Sequence, residues 1–173
     1  ICHAFATTGT GGFSTKQASI EFYHSPYIEY VISIFMFVSG INFTLLLLFV
    51  NGKFRKFIHD AELKWYLWSV IGFTAFIAIV LYYNSSMGVE EAFRKSLFQV
   101  ASLHTSTGFA TADYMTWPSV LWGTLTVIMI IGACAGSTTG GMKCIRLLIL
   151  AKISRNEFKH ITHPNAVLPV RVN

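Results

Sequence analysis

The sequence predicts an all-α integral membrane protein built from repeats of span, short helix, irregular loop and span. Three observations predict it. Apolar residues make up 53% of the 173-residue chain and charged residues only 12%, against roughly 25% charged in soluble domains. Three stretches, Val31 to Val50, Trp65 to Tyr83 and Tyr114 to Met142, contain no Asp, Glu, Lys or Arg, and a helical span needs roughly 20 residues. The third observation is a Thr/Gly string that occurs twice, each time ahead of a spanning stretch. With no initiator Met and no basic start, the first residues read as the interior of a longer polypeptide rather than as a signal peptide.

Taken in order, residues 1–50 read as the end of one unit: the last turns of a short helix, a loop, and an inner span from Ile28 to Val50 that stops at Asn51-Gly52. Residues 51–64 form a linker. Residues 65–153 hold a complete unit, starting with a span from Trp65 to Tyr83 that ends at Asn84-Ser85-Ser86. The next segment, Val89 to His104, opens with Glu90, Glu91, Arg94 and Lys95. At 1.5 Å per residue it reaches only about 24 Å, short of a roughly 30 Å hydrocarbon core. It is therefore a re-entrant helix. The residues after it, Thr105-Ser106-Thr107-Gly108-Phe109, must return without helix, because Trp117-Pro118 begins another span. Irregular backbone at membrane depth is tolerated only where it lines a cavity or is buried in protein, and the layout is that of a pore-loop channel. Residues 154–173 lead onward on the cytoplasmic side.

Charge placement orients these elements. The linker and the tail from Lys143 carry Lys53, Arg55, Lys56, Lys64, Lys143, Arg146, Lys152, Arg155, Lys159 and Arg171 against Asp60, Glu62 and Glu157. Elsewhere Lys16, Arg94 and Lys95 face Glu21, Glu29, Glu90, Glu91 and Asp113. By the positive-inside rule the linker and tail are cytoplasmic. Attraction of that face to anionic lipid accounts for the net charge of +5, so no nucleic-acid role is assigned. Cys2, Cys134 and Cys144 are odd in number, and two lie in or beside a membrane segment, so they read as packing residues rather than a disulfide framework. Trp65, Trp68, Trp117, Trp122, Tyr82, Tyr83 and Tyr114 fall at span ends as interfacial anchors. His3 and His104 lack a second ligand at metal spacing, so no transition metal is expected. Glu29, at a helix start, reads as a dipole-compensating acid before a pore-mouth charge.

The repeat carries the chemistry. Thr8-Gly9-Thr10-Gly11-(Gly12)-Phe13-Ser14-Thr15 matches Thr105-Ser106-Thr107-Gly108-Phe109-Ala110-Thr111, with Thr10 and Thr107 offset by 97 residues and Gly12 as an insertion. Backbone carbonyl and Thr hydroxyl oxygens are hard donors that replace the hydration shell of an alkali ion. Gly11 and Gly108 can take positive φ and turn successive carbonyls toward one axis. The short helix ends near His104 with its negative dipole end toward the ion. Thr8, Thr10, Gly11, Thr105, Thr107 and Gly108 are therefore the candidate filter for potassium, with no other cofactor and no covalent chemistry.

At this point the residues resemble a known family. The segment from Phe98 to Phe109, the loop Gly132 to Lys143, and His163-Pro164-Asn165-Ala166-Val167 are similar to the Trk/Ktr/HKT superfamily of potassium transporters, and within it to the Trk-type (TrkH-like) membrane subunit. The resemblance implies four span, pore helix and span units around a pseudo-fourfold pore. Gly11 would belong to the second unit's filter and Gly108 to the third's. It further implies the remaining pore units in the same polypeptide, a homodimer of pores, a cytoplasmic nucleotide-binding regulatory subunit, and a multi-pass location in the cell (inner) membrane.

A second cluster, Gly132 to Lys143, places four glycines and three hydroxyl residues inside an apolar stretch. Each Gly costs roughly 1 kcal/mol relative to Ala in a helix, so the span should break there. As a phosphate loop it fails, because Met142 stands where the pattern needs Lys and Cys144 follows Lys143. Close packing of small residues is one alternative. The preferred reading is an intramembrane gate made by Gly132, Gly136, Ser137, Thr138, Thr139, Gly140 and Gly141, which is also the role that the resemblance implies. Lys143 and Arg146 share one helix face and read as cytoplasmic anchors, or as a coupling between gate and partner. Two other readings stay open: a membrane-embedded enzyme cradling a phosphate-bearing substrate in this loop, and a non-conducting scaffold subunit.

Overall fold

The computed structural model describes residues 1–85 and 87–162; of residues 160–162 only the backbone is described. The expectations placed on Ser86, on His163 to Val167 and on Arg171 lie outside the described residues. Among the described residues the regular structure is helical apart from one parallel pairing of two two-residue strands. Helix α1 (Cys2–Thr8) leads into the first Thr/Gly loop, and α2 (Pro26–Ser39) and α3 (Phe43–Val50) follow. Then come α4 (Phe54–His59), α5 (Ala61–Asn84), α6 (Val89–His104) and α7 (Ser119–Ile130). Strands β1 (Ile131–Gly132) and β2 (Met142–Lys143) pair in parallel, and α8 (Cys144–Thr162) completes the order.

Helix α5 starts at Asp60, whose carboxylate accepts the Leu63 N–H at 2.9 Å, and by itself is long and apolar enough to cross a membrane. Its buried stripe runs through Tyr66, Val70, Ile77 and Leu81, while Trp68, Ile71, Phe76 and Ile79 are exposed. A helix apolar on both faces is suited to lipid or to further protein on its outer side. Helix α6 packs against α5, with Tyr66 near the start of α5 edge-on to His104 at the end of α6, so the two run antiparallel. The first turns of α6 hold Glu90 and Glu91 near the positive dipole end, each paired four residues on, with Arg94 and Lys95. Its second half is enclosed, since Phe98, Gln99, Val100, Ala101 and Ser102 are all buried between neighbours.

The inner span expected over Ile28 to Val50 is two helices, meeting at an angle of 102°. The break falls at Gly40-Ile41-Asn42. The Asn42 side chain accepts the Thr44 N–H at 2.8 Å and so starts α3 anew. Gly40 lies under Tyr66, whose hydroxyl donates to the Phe37 carbonyl at 3.1 Å. The apolar run concealed this, because Asn42 is a cap only if the chain has already turned. Trp117 also departs from the expected anchoring role: at 6% exposure it belongs to the core with Leu121, Leu125 and Ile128.

Candidate functional site

The two Thr/Gly loops are built by the same hydrogen bonds, taken 96 residues apart. Gly9 and Thr105 donate their N–H to Phe5 and Ala101, Thr10 and Ser106 to Thr7 and Leu103, and Gly11 and Thr107 to Ala6 and Ser102. Thr10 and Ser106 both have left-handed backbone, at φ 50° and 56°, as do Gly12 and Gly108, at 65° and 83°. The structural partner of Gly108 is thus Gly12, not Gly11, and Phe13 matches Phe109 with no insertion. The sequence alignment at offset 97 favoured identical letters, Thr10 with Thr107 and Gly11 with Gly108. The fold instead pairs equal conformations.

The hydroxyls are committed as well. Thr105 Oγ1 donates to the Ala101 carbonyl at 2.7 Å and lies 2.7 Å from Thr107 Oγ1, with both residues buried. Thr8 Oγ1 caps its own helix through Ala4 and Phe5. These hydrogen bonds tie the Thr8 and Thr105 hydroxyls to the last turns of α1 and α6. His104 is fully buried and its Nε2 lies 2.8 Å from Ser69 Oγ, which ties the end of α6 to α5. His3, near the start of α1, reaches Ser14 Oγ at 3.0 Å.

The Gly-rich segment leaves α7 at β1 and returns at β2, so Gly132 to Lys143 is a closed loop between two helices. Its neck admits no side chain at Gly132, where a Cβ would come within 2.3 Å of the Gly140 carbonyl oxygen. Ser137 Oγ donates to the Cys134 carbonyl at 2.5 Å and lies 2.8 Å from Thr139 Oγ1. The tip meets both Thr/Gly loops. Thr10 Oγ1 donates to the Thr138 carbonyl at 3.1 Å, Thr138 Oγ1 donates to the Thr8 carbonyl at 3.3 Å, and a Cβ on Gly140 would sit 3.2 Å from Ser106 Oγ. The Gly136 carbonyl accepts the Phe43 N–H at 3.2 Å, and the Gly40 carbonyl accepts that of Cys134 at 3.1 Å. The loop therefore rests in the break between α2 and α3.

Lys143 turns back on the loop, its Nζ donating to both the carbonyl and the hydroxyl of Thr139. Arg146 is exposed and makes no part of this cluster. Gly141, beside the neck, has φ 73°. Two acids have roles that the sequence reading did not give them. Glu29 is an ion-pair partner, 2.5 Å from Arg94, and joins α2 to α6. Glu62 is buried and accepts the Ala135 N–H at 2.6 Å. A signal existed for neither in the local sequence, since each acid sits in a helix first turn where a dipole role suffices.

Comparison with known proteins agrees with this geometry. The family model described as TrkH, cation transport protein, matches residues 1–173. The Trk system potassium uptake protein TrkH of Halomonas elongata is 35% identical over 98% of this chain and 36% of its own length. The protein of that name from Escherichia coli K12 is 37% identical over 99% of this chain and 36% of its own. The crystal structure of the potassium transporter TrkH from Vibrio parahaemolyticus superposes with a TM-score of 0.92 at 34% identity, covering 99% of this chain and 37% of that one. The chain thus spans about a third of the length of these relatives. Two loops of one conformation, a broken helix resting against them and a family model matched end to end lead to one conclusion: the chain belongs to the TrkH cation transport protein family.

Proposed function

We propose that this chain supplies two of the filter strands and the gate of a potassium-uptake pore in the cell inner membrane. The relatives named above as potassium uptake proteins support the cargo. One observation carries the gate: the tip of the Gly-rich loop is hydrogen-bonded to the first Thr/Gly loop through Thr138, Thr8 and Thr10. A segment in that place blocks any ion leaving the carbonyl ring on the loop side. It lacks the internal hydrogen-bond ladder of a helix, so it can move at low cost once its tip contacts exchange for water.

In this reading Gly12 and Gly108 turn the carbonyls of their strands toward the ion, and Thr105 and Thr107 hold the second strand stiff. Thr8 and Thr10 join the filter to the gate, and Lys143 restrains the loop through Thr139. The remaining pore units of the polypeptide complete the ring, and a homodimer and a cytoplasmic nucleotide-binding regulatory subunit act on it. The names of the relatives, which place them in a Trk system, support partners of this kind. The enzyme alternative would need phosphate donors free in the loop, whereas Lys143 Nζ is already engaged by Thr139.

The test is rubidium uptake by the full-length protein in liposomes, with sodium as competitor. Uptake that resists sodium supports the cargo. Deleting Ser137 to Gly140 is expected to raise flux per folded molecule without the regulator. A folded deletion variant with flux level or lowered would make the loop a packing seam instead.

A further inference from the structure

We propose that Glu62 is the latch of the Gly-rich loop, a buried carboxylate that clasps the loop's neck and holds its tip against the filter strands. The inference rests on the gate reading above and adds the residue that fixes the closed position. Glu62 lies in the first turn of α5 and is 4% exposed. Its Oε1 accepts the Ala135 N–H at 2.6 Å, just past β1. One side chain thus holds the first arm of the loop, while α5 also packs against α8, the helix into which the second arm leads. Helix α8 begins at Cys144, so the Ile145 N–H is among the donors its first turn leaves without an intrahelical partner. The positive end of the α8 dipole favours an anion there.

The latch has a fixed base. One turn beyond Glu62, Tyr66 is fully buried, stacks on Phe37 and donates to the Phe37 carbonyl. Asp60 caps the same helix end through Leu63. On its other side the loop is bonded by backbone, Cys134 to Gly40 and Phe43 to Gly136. A buried carboxylate stripped of its donors is costly. Leaving Glu62 therefore demands that water or other donors reach it, so the loop is released as a unit and does not drift.

The experiment uses the full-length protein in liposomes without regulator. Glu62→Ala removes the clasp, and Glu62→Gln keeps the shape and an acceptor but not the charge. Hydrogen bonds to charged groups are each worth enough to shift a two-state balance by about tenfold. Basal rubidium flux per folded molecule is expected to rise by about that factor in Glu62→Ala and by less in Glu62→Gln, with rubidium over sodium selectivity unchanged. The independent readout is Ser137→Cys, whose labelling by a thiol reagent should speed up when Glu62→Ala is added. Flux and labelling both level or lower in Glu62→Ala would make Glu62 a packing acid and overturn the latch. If Glu62→Ala does not fold, the Glu62→Gln pair decides by the same two readouts. Should deletion of Ser137 to Gly140 raise flux while Glu62→Ala changes neither readout, the latch fails and the gate stands. Should the deletion fail to raise flux, the gate reading falls, and unchanged labelling would then remove the latch with it.

Discussion

A Cβ on Gly12 would lie 2.0 Å from the carbonyl oxygen of Thr107, so the two Thr/Gly loops touch backbone to backbone. The contact requires glycine twice over, since Gly12 also has φ +65°. It brings two loops that are far apart in the chain to one point.

Gly12→Ala is therefore expected to lower rubidium flux more than tenfold in the full-length protein, because its neighbour is backbone and left-handed φ costs roughly 1–2 kcal/mol for a residue with Cβ. Gly11→Ala is expected to be mild, since its Cβ would meet only the Phe13 ring, at 3.0 Å. The reverse order of severity would restore the register in which Gly11 matches Gly108.

At Gly108 there is space for a side chain, with nothing within 4 Å of a Cβ, but φ is +83°. Gly108→Ser should strain the strand without jamming it. Flux is expected to persist while preference for potassium over sodium falls, measured as uptake at increasing sodium. Unchanged selectivity and rate would remove Gly108 from the filter.

The Glu29 and Arg94 pair, with side chains 8% and 12% exposed, is the charged joint between α2 and α6. Arg94→Met leaves Glu29 buried alone, which should cost about 3–5 kcal/mol, seen as a lowered melting temperature in detergent. Adding Glu29→Gln should recover a good part of that loss. Equal loss in both variants would show that the pair contributes packing only.

Orientation rests on the basic linker. With Cys2 replaced by Ser, a cysteine at Lys56 should react with an impermeant thiol reagent only from the cytoplasmic side. Labelling from outside inverts the topology.

The bounds of α6 could be read directly, because its acidic first turn and the Thr/Gly string after it are local signals that need no partner. The interruption of the third apolar stretch was equally plain, since four glycines and three hydroxyls in an apolar helix raise its cost residue by residue. The bend at Gly40 to Asn42 was not legible. Its glycine contact and the two backbone bonds that occupy it depend on Tyr66 and on Cys134 and Gly136, distant in the chain. Nor were the roles of Glu62 and Glu29, whose partners Ala135 and Arg94 are 73 and 65 residues away.

The sequence by itself determined the class of molecule, the helix breaks at the second Thr/Gly string and at the Gly-rich segment, and the residue types at each loop, because charge density, helix length and glycine cost are properties of short segments. Only the tertiary structure decided that Gly12 rather than Gly11 is the partner of Gly108 and that the Thr105 and Thr107 hydroxyls bond to each other. It alone decided that the Gly-rich loop rests against Thr8 and Thr10. The physical reason is that backbone sign and hydrogen-bond choice are set by what the fold brings within about 3 Å, and identical letters in two strings carry no record of that.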